Sequence, residues 1–306
     1  MFFIKQRIGE LAYSNLTDIY PDWNKDTTYI VENDNALTNA SVVRVGSFYY
    51  RSVAGNNKCF NPIEYENIKW VKLSSSNKYA MLDLESTSKS VKENGNIVVK
   101  FKQNQIMSFG IGYYESKGIR VSVLDRNNNV LWDNEFGNTL NENVIDYYSY
   151  MYEPYDSVVD RAIKIDVPVF NEYIQFEFIA VNSESQTACG YLIGGDKVDM
   201  GITLYGINFG FNSFATKTYN EYGTIDITRA GIQDVVDFEC IIDSNLLQKL
   251  RKNIREIYDD VVLFVLDERD VLTYENLITL GIIQNANVIL QNDDLSTVSY
   301  SIIEAI

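Results

Sequence analysis

Tyr173-Ile174-Gln175-Phe176-Glu177-Phe178-Ile179-Ala180 carries Ile174, Phe176, Phe178 and Ala180 at every second position. A side-chain period of two marks a strand with one buried face. The same alternation runs through Asn96-Ile97-Val98-Val99-Lys100-Phe101-Lys102 and Gly118-Ile119-Arg120-Val121-Ser122-Val123-Leu124-Asp125. After the latter, Asp125-Arg126-Asn127-Asn128-Asn129 leads into Val130-Leu131-Trp132-Asp133, a strand, turn, strand signature in which asparagine tolerates left-handed geometry. Strands at this spacing over residues 76–220 predict a β-sandwich of jelly-roll type.

Upstream, residues 20–75 break into shorter β-like pieces: Thr27–Val31, Ser41–Val45, Phe48–Ser52 and Trp70–Leu73, with Gly46-Ser47 as a hairpin turn. So small a β-module has little room for a core. Trp23, Tyr29, Tyr50 and Trp70 must supply it, or else Trp23, Tyr49, Tyr50 and Trp70 lie partly on the surface and stack on sugar faces as a glycan-binding site. Adjacent Tyr49 and Tyr50 face opposite ways in a strand, so the pattern predicts at most one of them in the core. Residues 1–19 are an N-terminal segment in which Ile4, Ile8, Leu11 and Leu16 approach helical spacing.

Downstream, residues 221–306 predict an α+β domain. Asp234–Ile242 is a strand, Asp243-Ser244-Asn245 offers an N-cap, and Leu246, Leu247, Leu250, Ile254 and Ile257 form one apolar helical stripe. Strands are expected again at Val261–Leu266, Leu277–Ile283, Asn287–Leu290 and Thr297–Ile303, so that one helix covers one sheet. The fold class is therefore mainly β: a small β-module, a central sandwich and a C-terminal α+β domain with one helix.

Composition excludes much chemistry. The 306 residues contain no histidine, which removes the commonest general base and metal ligand. Cys59, Cys189 and Cys240 are odd in number and share no CxxC spacing, so they are expected as reduced thiols, with no metal site. Lys and Arg number 26 against 42 Asp and Glu, a formal charge of -16 that opposes binding to nucleic acid. Met1–Gly9 is too short and charged for a signal h-region, and no apolar run nears the roughly 20 residues of a membrane span. A soluble, unprocessed chain without membrane insertion is the expectation.

Trp23, Thr27-Thr28-Tyr29, Val42-Val43, Tyr50-Arg51-Ser52, Asn56-Asn57 before Pro62, and Trp70 together resemble the small chitin-binding-like modules found in phage tail proteins. Trp70-Val71-Lys72-Leu73 passing into Ser76-Asn77-Lys78-Tyr79-Ala80-Met81-Leu82-Asp83 is similar to a junction in tailed-phage virion proteins, where an Asn-Arg-Trp-Ala-Met-Phe-Asp-like motif follows a Trp-containing strand. Asp146–Tyr150, Gly190–Gly195, Leu204-Tyr205-Gly206, Tyr222-Gly223 and Ser299–Glu304 match further places in that family. Lys78 and Tyr79 depart from its Arg and Trp, and the tandem Trp frequent in chitin-binding modules is absent, which argues against chitin as ligand.

The resemblance implies a structural, non-enzymatic virion component of the tail, baseplate or collar, assembled in the host cytoplasm. It implies other virion proteins as partners, a symmetric homo-oligomer, contact with a host surface glycan, and no cofactor. A carbohydrate-binding receptor protein is the alternative, and a glycan depolymerase the second, since two carboxylates suffice for glycoside hydrolysis. Asp83 with Glu85, or Asp156 with Asp160, is too generic a pair to single out as catalytic. The Asp125–Asn129 loop lacks the closing acid of an EF-hand calcium loop and reads as a hairpin turn. Gly190, Gly194, Gly195 and Gly201 do not fit GxGxxG and read as turns between strands.

Overall fold

The computed structural model describes residues 1–32, 37–85, 87–102, 108–137, 147–152, 162–168, 172–219, 224–266, 277–290 and 294–305. Strand β1 (Phe2–Lys5) and strand β2 (Leu11–Ser14) occupy the N-terminal segment, and they belong to different sheets. Phe3 sits opposite Val198 on one side and Phe264 on the other, while Tyr13 sits opposite Lys100. The helical spacing of Ile4, Ile8 and Leu11 is thus overridden, because pairing with distant strands satisfies this backbone and buries Phe2, Phe3 and Ile4.

The small module follows. β4 (Val42–Val45), β5 (Phe48–Ser52) and β7 (Trp70–Ser75) form one sheet, and β3 (Thr28–Tyr29) pairs with β6 (Asn57–Lys58). The β4–β5 hairpin closes through Gly46 at φ 62°, a left-handed position that glycine fills without a Cβ penalty. Tyr29, Val43, Tyr50 and Trp70 make the module's core.

The sandwich contains β8 (Ser90–Lys92), β9 (Ile97–Lys102), β10 (Ser108–Gly112), β11 (Gly118–Leu124), β12 (Val130–Gly137), the short helix α1 (Tyr147–Tyr152), β13 (Ala162–Asp166), β14 (Tyr173–Ile179), β15 (Thr187–Cys189) and β16 (Tyr191–Gly195). Its larger sheet has the order β12-β11-β14-β9-β2 and its smaller one β13-β10-β16. β9 pairs with β14, β10 with β13 and β11 with β12, all antiparallel, which is the nested long-hairpin arrangement of a jelly roll. Ile97, Val99, Phe101, Phe109, Ile111, Phe176 and Phe178 fill the space between the sheets. Asp125 closes the β11–β12 hairpin by accepting hydrogen bonds from the Asn127 and Asn129 backbone N–H groups at 2.7 and 2.8 Å, with Asn128 at φ 65°.

The C-terminal sheet is built from β17 (Lys197–Asp199), β18 (Ile202–Thr203), β19 (Asn208–Ser213), β22 (Ile232–Asp243), β23 (Val262–Val265), β24 (Ile278–Leu290) and β25 (Leu295–Glu304), with β1. β20 (Thr216–Tyr219) and β21 (Ile225–Thr228) pair with each other. β17, β18 and β19, which precede residue 220, pair within the C-terminal sheet. The strands expected at Leu277–Ile283 and Asn287–Leu290 are one continuous β24, irregular between Ile283 and Asn285. Helix α2 (Leu247–Ile257) follows a 3-10 turn, Ser244–Leu246, that Asp243 caps, and it buries Leu250, Ile254 and Ile257 in one cluster with Phe238, Val298 and Tyr300.

The three sheets stack. Phe109 and Ile111 face the sandwich core, and the opposite side of β10 meets the C-terminal sheet, where Phe2, Ile4, Tyr191, Ile193 and Leu263 form a second apolar layer. Close approach depends on glycine in the strands: a Cβ on Gly110 would stand 2.0 Å from Leu263 Cδ2, and one on Gly195 2.1 Å from the Lys5 carbonyl oxygen. Gly194 and Gly195 thus lie inside β16 as packing positions, not in turns as the sequence suggests.

Candidate functional site

The four rings singled out as a glycan platform have little surface to offer. Trp70 is 0% exposed and Tyr49 and Tyr50 are 5% exposed, and Trp23 is half-buried against the module's core. Trp70 donates its indole N–H to the Phe60 carbonyl at 3.0 Å and meets Tyr29 edge-on at 5.2 Å. A ring without an exposed face cannot stack on a sugar. This corrects the expectation for Tyr49, Tyr50 and Trp70 and leaves Trp23 with only part of its surface. Its Nε1 is buried and finds no partner among the described residues.

Tyr49 and Tyr50 do face opposite ways, yet both are buried. Tyr50 enters the module's core, and Tyr49 enters the seam with the sandwich, where it packs edge-on against Tyr20 at 5.2 Å. Its hydroxyl accepts from the Ile19 N–H at 3.0 Å and donates to Asp18 at 3.3 Å. Asp18 also pairs with Arg44 at 3.1 Å and Lys78 at 3.5 Å. Burial, and then the Asp18 charge, push the Tyr49 phenol above its ordinary value. Asn77 closes the seam by donating to the Thr17 and Val91 carbonyls at 2.9 and 2.8 Å and accepting from the Val91 N–H at 2.7 Å. The Trp70–Asp83 stretch is thus a structural joint between module and sandwich.

The carboxylate pairs divide. Asp83 accepts from the Ser88 hydroxyl at 2.7 Å and from the Glu85 N–H at 3.1 Å, a turn-closing role. Asp156 and Asp160 lie outside the described residues, as do Asp146, Tyr222 and Gly223.

The surface that stands out is a β-ribbon. β19 pairs with the first half of β22, from Asn208 opposite Asp237 to Ser213 opposite Ile232, and the β20–β21 pair continues beyond it. Opposed residues share a face, so Phe209, Phe211 and Ile232 line one side of the β19–β22 part together with Ser213, Asp234 and Val236. Tyr219, Ile225 and Ile227 line one side of the β20–β21 part together with Lys217, with Thr216, Thr218 and Thr228 opposite. Phe211 is 72% exposed, Tyr219 71%, Ile232 62%, and Ile225 and Ile227 52% each. The alternation is that of a half-buried strand, yet beyond the buried Val236 and the half-covered Phe209 the large apolar side chains of this face stay more than half exposed. Lys217 and Arg229 balance Glu221 and Asp226, so residues 208–232 carry no net charge in a chain of formal charge -16.

Sequence reasoning overlooks these residues, although Phe209-Gly210-Phe211 and Ile225-Asp226-Ile227 carry a period-two signal. Each piece is short, and only the paired register shows that the apolar positions align. Comparison with protein-family models, curated proteins and solved structures finds no match.

Proposed function

We propose that this chain is a structural, non-enzymatic building block of a tailed-phage virion, placed at the tail, baseplate or collar, where it joins neighbouring virion proteins or fibres. The observation that carries the reading is the apolar face of the β19–β22 and β20–β21 ribbon. Taking about 200 Å² per large side chain, Phe209, Phe211, Tyr219, Ile225, Ile227 and Ile232 expose on the order of 700 Å². Monomeric proteins rarely leave a patch above about 600 Å² uncovered, and a standard interface takes about 800 Å² from each partner. Two-stranded ribbons are marginal in water by themselves, which favours an arm that gains order on docking.

Its lack of net charge lets the ribbon approach other surfaces of an acidic assembly without like-charge repulsion. The resemblance of the Trp70–Asp83 stretch to a virion-protein junction is what directs the reading to a tailed-phage particle. Buried rings in the aromatic module fit a joint better than a sugar-binding platform. Quantitative mass spectrometry of purified particles tests the reading. The chain is expected at a fixed ratio to the other virion proteins, and its absence from intact particles overturns the proposal.

A further inference from the structure

On the face of the C-terminal sheet opposite α2, hydrogen-bonding side chains lie in two rows. Asn208, Asp237, Ser301 and Asn285 are mutually opposed across four strands, and Glu239, Ser299 and Asn287 form the next row across three. Neighbouring strands stand about 4.8 Å apart and the rows about 7 Å. They line an open groove of about 350 Å³, a size in the range of small-ligand sites. Neither Lys nor Arg is among its described lining residues.

Most of this polar capacity is unused. Ser299 donates to Glu239 at 3.2 Å and Ser301 to Gln284 at 3.5 Å, whereas the side chains of Asn208, Asp237, Asn285 and Asn287 bond no described residue. Asp237 is also half-buried, so a carboxylate with reduced access to water has no donor among the described residues. Tyr205, 98% exposed, immediately precedes Gly206, which lines the groove and holds φ 106°.

We propose that this groove binds a saccharide unit without negative charge, either neutral or amine-bearing. Carboxamides and serine hydroxyls both donate and accept, as vicinal sugar hydroxyls do, and the two carboxylates accept from hydroxyl or ammonium groups. Two carboxylates with no Lys or Arg among the described lining residues disfavour acidic sugars. A bare divalent ion needs oxygens converging to about 2.3–2.6 Å, which rows this far apart in an open groove do not supply.

The inference is independent of the virion reading, because the groove lies on the opposite face of β19 and β22 from Phe209 and Phe211. Full-length protein is titrated, with calorimetric and NMR readouts, with oligomers of N-acetylglucosamine, of glucosamine and of galacturonic acid. Binding of a neutral or amine-bearing oligomer is expected, lowered at least tenfold by Asp237→Ala and by Asn287→Lys and unchanged by Phe211→Ala. Failure of both non-acidic probes to bind, equal binding of the acidic oligomer, or unchanged affinity in folded Asp237→Ala and Asn287→Lys proteins overturns it.

Discussion

Phe211→Ala separates an assembly surface from an accidental apolar exposure. Phe211 is 72% exposed, so of a side chain presenting about 200 Å² it has roughly 140 Å² left to bury on docking. At about 25 cal/mol/Å² this contributes about 3.5 kcal/mol to association, equivalent to a few hundred-fold in Kd. The same substitution touches little in the free chain, where exposed positions change stability by about 0.5 kcal/mol or less. Thermal unfolding of the purified variant should therefore match the parent, while its incorporation into particles, measured by competition with the parent chain, should fall more than a hundredfold. Equal incorporation would refute the reasoning. So would a large loss of stability in the free variant, because the ring would then be packing within its own chain.

Trp70→Ala removes a fully buried ring from a core of four buried residues; a loss of about 3–5 kcal/mol should open residues 20–75 to limited proteolysis, and an intact module would contradict the core role. Native protein should label with a thiol reagent at Cys59 alone, since Cys189 and Cys240 are buried and burial raises their thiols, Cys240 to about 11; rapid labelling of all three before unfolding would contradict the packing. The Asp166 carboxyl is subject to burial, which raises its pKa, but hydrogen bonds from Lys164, Ser108 and Lys197 outweigh this and hold it below its ordinary value. A depressed carboxyl adds stability that is present above the unfolded value and lost as pH falls through the folded one. Asp166→Asn should therefore narrow its stability gap to the parent as pH drops below about 4, and a constant gap from pH 7 to 2 would contradict the assignment.

Much of the fold is legible where one face of an element is buried, because burial imposes a period. Ile174, Phe176 and Phe178 reveal β14, and Leu250, Ile254 and Ile257 reveal α2. Period fails where an element is buried on both faces or gains its partner from far away. β10, Ser108–Gly112, is buried throughout between two sheets and so shows no alternation of apolar and polar residues. β1 takes its partners from β17 and β23, across nearly the length of the chain, so its local spacing misleads toward helix.

The candidate sites were less legible. A ring's type does not say whether it fills a core, and Tyr49 is buried because the seam with Asp18 and Asn77 covers the second face of β5. The ribbon and the polar rows are properties of register: Phe209 and Ile232, or Asp237 and Ser301, become neighbours only once β19, β22 and β25 pair.

Amide hydrogen exchange along residues 208–232, compared between the free chain and the chain in particles that contain it, tests the assembly role most directly. The account predicts fast exchange at β20 and β21 in the free chain, since a lone ribbon opens readily, and strong protection once the apolar face is covered. Equal protection in both states would contradict it.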